Sequence, residues 1–112
     1  MRARKLDVVG TIYRVVFTNE TACEDLKDRY GYTDLDAKVI YIRETDSPEV
    51  QQDTLVHEVG HALFEEMGIK PFLALTLPAK TNKVDWEESF ISTISPRIVQ
   101  LIKSNKRKLW IL

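Results

Sequence analysis

What most limits the folding of this chain is the stretch from Ser47 to Gly68, SPEVQQDTLVHEVGHALFEEMG, which reads as one amphipathic helix with its own start and stop. Ser47 can cap the free amides of the first turn, and Pro48 suits the first helical position. Gly68 supplies the left-handed residue on which such helices end. Leu55, Val56, Val59, Ala62, Leu63 and Met67 form an aliphatic arc. The helix can bury that arc in a core while its opposite face looks into a cleft.

The segments around it suggest what supplies the core. Residues 6–17, LDVVGTIYRVVF, mix β-branched and aromatic residues and read as one strand with a bulge at Gly10. Residues 18–29 are polar and suit a short helix or an ordered loop. YGYTDLDAKVIYIRE carries a turn signal at Tyr32 to Asp36, and Lys38, Ile40 and Ile42 then alternate with Val39, Tyr41 and Arg43 as the second arm of a β-hairpin. Residues 70–80, KPFLALTLPAK, read as a packed loop or short helix. From Val84 a second helical pattern runs to Lys103, kinked or restarted at Ser95-Pro96. The expectation is an α+β fold, with a small antiparallel sheet packed against the histidine-bearing helix and a second, C-terminal helix. At 112 residues the chain suits a single domain over 1–112.

Composition narrows the partners. With 44% apolar and 29% charged residues the chain has the balance of a soluble globular protein. A net charge of −1 gives no field directed at nucleic acid or anionic lipid. The basic runs MRARK and KSNKRK are short and read as solvated ends, so a nucleic-acid partner is not expected. No apolar run approaches the roughly 18 residues of a membrane span, and the N-terminus lacks a signal-peptide pattern. The expected location is the cytoplasm, without membrane contact. A lone cysteine, Cys23, agrees with a reducing compartment.

The chain has two histidines, His57 and His61, both on the helix just described. At about 100° per residue they lie about 40° apart, one turn above the other, so their ring nitrogens can reach one point. Tetrahedral zinc takes neutral ring nitrogens at about 2.0–2.1 Å, and this i, i+4 pair supplies two of them. Glu58 sits on the flank of that face, where a carboxylate can take a proton from water beside the metal without being a ligand.

With no third histidine, a further ligand must be a carboxylate or, less simply, Cys23 or a tyrosine. The metzincin pattern is excluded, because its glycine and third histidine fall at Phe64 and Met67. Asp85, Glu87 and Glu88 stand downstream. The apolar face of their helix is set by Val84, Phe90, Ile91, Ile94, Ile98, Leu101 and Ile102. Glu87 projects near its middle, and Glu88 lies about 90° off centre. A carboxylate on a core-facing stripe needs a partner, which favours Glu87 over Glu88 as the zinc ligand.

HEVGH followed by a glutamate at a helix start resembles the glutamate-ligand zincin metallopeptidases, the gluzincins. The order of strand, hairpin, HExxH helix and glutamate-bearing helix is similar to the ImmA/IrrE-type domains and to small phage- or prophage-encoded HExxH proteins. The resemblance covers roughly residues 38–102, and HExxH is its specific element. It implies a minimal zincin-like fold, His57 and His61 as metal ligands, Glu58 as catalytic base and Glu87 as third ligand. The family often has a small residue three positions after that glutamate; here it is Phe90.

The expected activity is zinc-dependent hydrolysis of peptide bonds, with a peptide or protein as substrate. The strand around Val39 to Arg43, as a sheet edge, could hold an extended peptide. The sequence identifies no oxyanion stabiliser: Tyr30, Tyr32 and Tyr41 could contribute, nothing selects one of them, and each better suits packing with its hydroxyl at the surface. An alternative is a zinc-stabilised regulatory or protein-binding module, with a protein partner completing the cleft. A fourth protein ligand such as Cys23 would favour it, since a closed coordination sphere cannot activate water.

Overall fold

The computed structural model describes residues 2–68 and 82–109. Strands β1 (Arg2–Val8) and β2 (Thr11–Thr18) are followed by a 3-10 turn at Glu24–Leu26, strands β3 (Gly31–Asp34) and β4 (Val39–Arg43), and helices α1 (Pro48–Glu66) and α2 (Lys83–Leu109). The α+β class is as expected. The sheet is mixed rather than antiparallel: its order is β1-β2-β4-β3, and β2 pairs with β4 in parallel. Two antiparallel hairpins are joined by a connection that inserts β4 between β2 and β3. Parallel strands need such a crossover and cannot be joined by a tight turn.

Residues 6–17 hold a turn where the sequence suggested a bulge. Val9 and Gly10 both have positive φ (51° and 94°), and the Gly10 amide donates to Asp7 Oδ1 at 2.7 Å. Two consecutive positive φ values are what a two-residue hairpin loop between right-twisted strands requires. β1 therefore begins at Arg2, within a run expected to be a solvated tail. Arg4 and Lys5 are exposed along this edge strand, where charge discourages pairing with another chain.

Val39 to Arg43 is likewise interior to the sheet. The edge on that side is β3, closed to β4 by a turn in which the Ala37 amide donates to Asp34 Oδ1.

The main core joins sheet and helix. Val8, Tyr13, Val15, Ile40, Ile42 and Ala62 are buried together, and Leu55, Val59 and Leu63 of α1 pack on them. Tyr13 and Val15, and likewise Ile40 and Ile42, sit two apart on their strands and so point to one face. Fully burying an Ile is worth about 1.5–3 kcal/mol.

α1 starts as its sequence indicates, with Ser47 Oγ accepting from the Val50 amide at 3.3 Å; it ends before Gly68, whose φ is 66°. Met67, placed on the aliphatic arc, is exposed. Phe64 is buried instead, in a second cluster with Ile91 and Trp86 of α2.

α2 runs through Pro96, and non-helical angles occur at Asn105. Its buried line is Glu87, Ile91, Ser95 and Val99, whereas Phe90, Ile94, Ile98, Leu101 and Ile102 are exposed. The i, i+4 spacing of the buried set marks contact along one narrow strip. Residues 70–80 and the end of LWIL lie outside the described residues. Among the described residues, no helix is long and apolar enough to cross a membrane.

Candidate metal centre

The site forms where α2 lies against α1, and Gly60 sets how closely it does so. A Cβ at Gly60 would fall 3.0 Å from Ile91 Cγ2 and 3.3 Å from Ile91 Cγ1. Ile91 stands about one turn beyond Glu87 and Glu88, so this close contact brings both carboxylates over the two imidazoles.

The His57 and His61 rings are 5.1 Å apart at 68° to each other. His57 Nε2 is 3.0 Å from Glu88 Oε1, and His61 Nε2 is 2.9 Å from Glu88 Oε2. One donor atom from each of these three residues can be chosen so that all lie within 4.8 Å of one another. Glu87 meets the same histidines differently, with Oε2 2.7 Å from His61 Nδ1. It is 9% exposed, as its place on the helix face implies, but the nitrogen it occupies is on the far side of the ring from Glu88. The carboxylate that both Nε2 atoms share is thus Glu88 and not Glu87, the residue the sequence favoured. Ser92, one turn along, donates to Glu88 Oε1 at 3.2 Å.

This donor set fits a divalent metal. Bonds of about 2.0–2.1 Å at tetrahedral angles place neighbouring donors about 3.3 Å apart, near the 2.9–3.0 Å found between the imidazoles and Glu88. Cys23 is not part of the group. Residues 69–81 and 110–112 contain no His, Cys, Asp or Glu that could add to it.

Glu58 is 8% exposed and accepts from Thr33 Oγ1 at Oε1 (2.8 Å), while its Oε2 lies 3.9 Å from His57 Nε2. Gly31, two residues before Thr33 on β3, makes this approach possible. A Cβ there would fall 2.5 Å from Thr54 Cγ2 and 3.1 Å from Glu58 Cγ. Thr33 was not singled out from the sequence. The available signal was Gly31-Tyr32-Thr33, small and polar residues alternating on a strand face.

The group opens into a cleft of about 750 Å³, lined on the strand side by Tyr30, Tyr32 and Leu35 and on the α2 side by Ser95 and Pro96. Tyr41 is set back behind Tyr32, the two rings stacked at 6.5 Å. Burial, aided by Asp25 and Asp34, raises the Tyr32 phenol above its ordinary value, so it stays a donor. Among the described residues, Glu58, Glu87 and Glu88 are paired with no lysine or arginine.

The family model for the IrrE N-terminal-like domain, Peptidase_M78, matches residues 14–88, more than half of the chain. The chain belongs to the Peptidase_M78 family. No curated protein and no solved structure matches it. The Peptidase_M78 match takes in β2 from Arg14 onward, β3, β4, all of α1 and the start of α2 as far as Glu88, and so every residue of the metal group. The chain is therefore a metallopeptidase-like domain in which His57, His61 and Glu88 lie close enough to bind a metal.

Proposed function

We propose that this chain is a zinc-dependent peptidase in which His57, His61 and Glu88 hold the ion and Glu58 is the general base. The observation that carries this reading is the convergence of both Nε2 atoms on the Glu88 carboxylate. Two imidazoles and one carboxylate make the donor set of a catalytic zinc site with an open position. When bound, the ion supplies Lewis acidity, acidifying water and polarising the scissile carbonyl.

The chain's own residues do the rest. Thr33 holds Glu58 Oε1, which leaves Oε2 on the His57 side to take a proton from the attacking water and return it to the leaving amine. Among the described residues β3 is the edge strand beside the cleft, where an extended peptide can add as a further strand by main-chain hydrogen bonding. Tyr32 stands in the cleft as a hydrogen-bond donor toward the substrate.

The test is metal analysis of the purified protein beside His57→Ala, followed by digestion of a peptide library. Stoichiometric zinc lost in the variant, together with cleavage that depends on Glu58, is the expected result. Zinc without cleavage of any peptide would replace the enzyme with a metal-stabilised binding module. Equal metal content in both proteins would remove the site.

A further inference from the structure

The two histidines are held differently, although they sit one turn apart on the same helix. His57 meets carboxylates through Nε2, at 3.0 Å from Glu88 and 3.9 Å from Glu58. His61 meets carboxylates through both nitrogens, with Glu88 on Nε2 and Glu87 on Nδ1. The Glu87 contact is the shorter of the two, at 2.7 Å, and lies in the more enclosed position: the Glu87 side chain is 11% exposed against 53% for Glu88.

We infer that Glu87 is a positioning residue that fixes the tautomer of His61. This rests on the metal reading above. A neutral imidazole is a donor at one nitrogen and an acceptor at the other. With its proton on Nδ1 and donated to Glu87, His61 presents a bare lone pair at Nε2, the atom that faces the metal position. The other tautomer would donate Nε2–H to Glu88 and would have to lose that proton before it could bind an ion. Glu87 therefore prepares the ring in advance and holds it against rotation, as a carboxylate behind a metal-binding histidine does in general. The adjacent glutamates divide the work: Glu88 meets the metal position and Glu87 the back of one ligand. Gly60 and Ile91 set the helix approach that both need.

The experiment uses the full chain and zinc in competition with a chromophoric chelator. Glu87→Ala is expected to weaken zinc binding about 10- to 100-fold. Glu87→Gln, whose amide oxygen can still accept from Nδ1–H, should recover much of that loss, and Asp85→Asn in the same turn should change nothing. Nitrogen-15 NMR of the imidazoles in chelator-treated protein gives a second readout. His61 should carry its proton on Nδ1 in the wild type and lose that preference in Glu87→Ala, while His57 is unmoved. Thermal unfolding of the chelator-treated proteins checks that the variants fold. Unchanged zinc affinity and an unchanged His61 tautomer in a folded Glu87→Ala protein would overturn the role of Glu87 alone. A wild-type protein that binds no zinc would instead overturn the metal reading, and this inference with it.

Discussion

Helix α1 handles its glutamates in two opposite ways. At its last turn, Glu66 Oε2 accepts from the Tyr13 hydroxyl at 2.9 Å and pairs with Lys38 Nζ at 3.0 Å. Hydrogen bonds from Thr11, Lys38 and Tyr13 hold its carboxyl down at about 2. Two turns earlier, Glu58 joins Glu87 and Glu88 around two imidazoles, and among the described residues none of the three is paired with a lysine or arginine. The first cluster contains its own cation and ties helix to sheet. The second gathers acids and neutral donors, an arrangement that leaves a cation to come from solution. Hydrogen-bonded acids alone do not mark a site; what marks it is that their partners are metal donors.

The sharpest separation of the two clusters comes from Glu58→Gln. Peptide turnover should fall by about 10²- to 10⁴-fold with zinc content unchanged, since the variant loses a base and no ligand; turnover near the wild-type rate would end the role given to Glu58. Next is chelation. Removing metal should lower the melting temperature of the wild type but not of His57→Ala, by an amount equivalent to about 2.7 kcal/mol when free zinc was 100 times its dissociation constant. Equal melting of wild type with and without chelator would contradict a metal-linked fold. Third, Gly31→Ala pushes a methyl into Thr54 and Glu58 and should cost about 1–3 kcal/mol in denaturant unfolding. The smallest effect belongs to the far cluster. Because the Glu66 carboxyl is depressed from 4.5 to about 2 in the folded chain, the unfolded chain binds protons more readily between those values. The stabilisation is complete above about pH 4.5 and is lost as pH falls toward 2. Glu66→Gln should flatten the stability profile across that window and leave zinc affinity where it was.

Local signals in the sequence were legible where local physics decides. Ser47, Pro48 and Gly68 bound α1 because capping concerns neighbouring residues. The β3–β4 hairpin follows from alternation and a turn. The parallel pairing of β2 with β4 was hidden, because it joins strands more than 20 residues apart. Gly10 was misjudged because a glycine between two apolar runs suits a bulge or a turn, and the register of β1 against β2 decides which. The acidic pair shows the limit most clearly. The helix face indicated that Glu87 is buried and needs a partner, and it is buried against His61. No helical projection can tell which ring nitrogen it meets, since that depends on how α2 is set over α1. Thr33 was hidden for the same reason, as its value depends on the approach of a strand to a helix far along the chain.

Gly60 and Ile91 occupy one shared volume at the crossing of the two helices. A side chain added at 60 presses on Ile91, and wherever Ile91 does not give way it acts as a wedge at that crossing, displacing α2 and with it Glu88 without touching a single ligand. Ligation geometry in this chain is thus inherited from the thickness of a helix–helix contact, and a methyl gained at 60 should be accommodated when both γ carbons at 91 are surrendered, as in Gly60→Ala combined with Ile91→Ala.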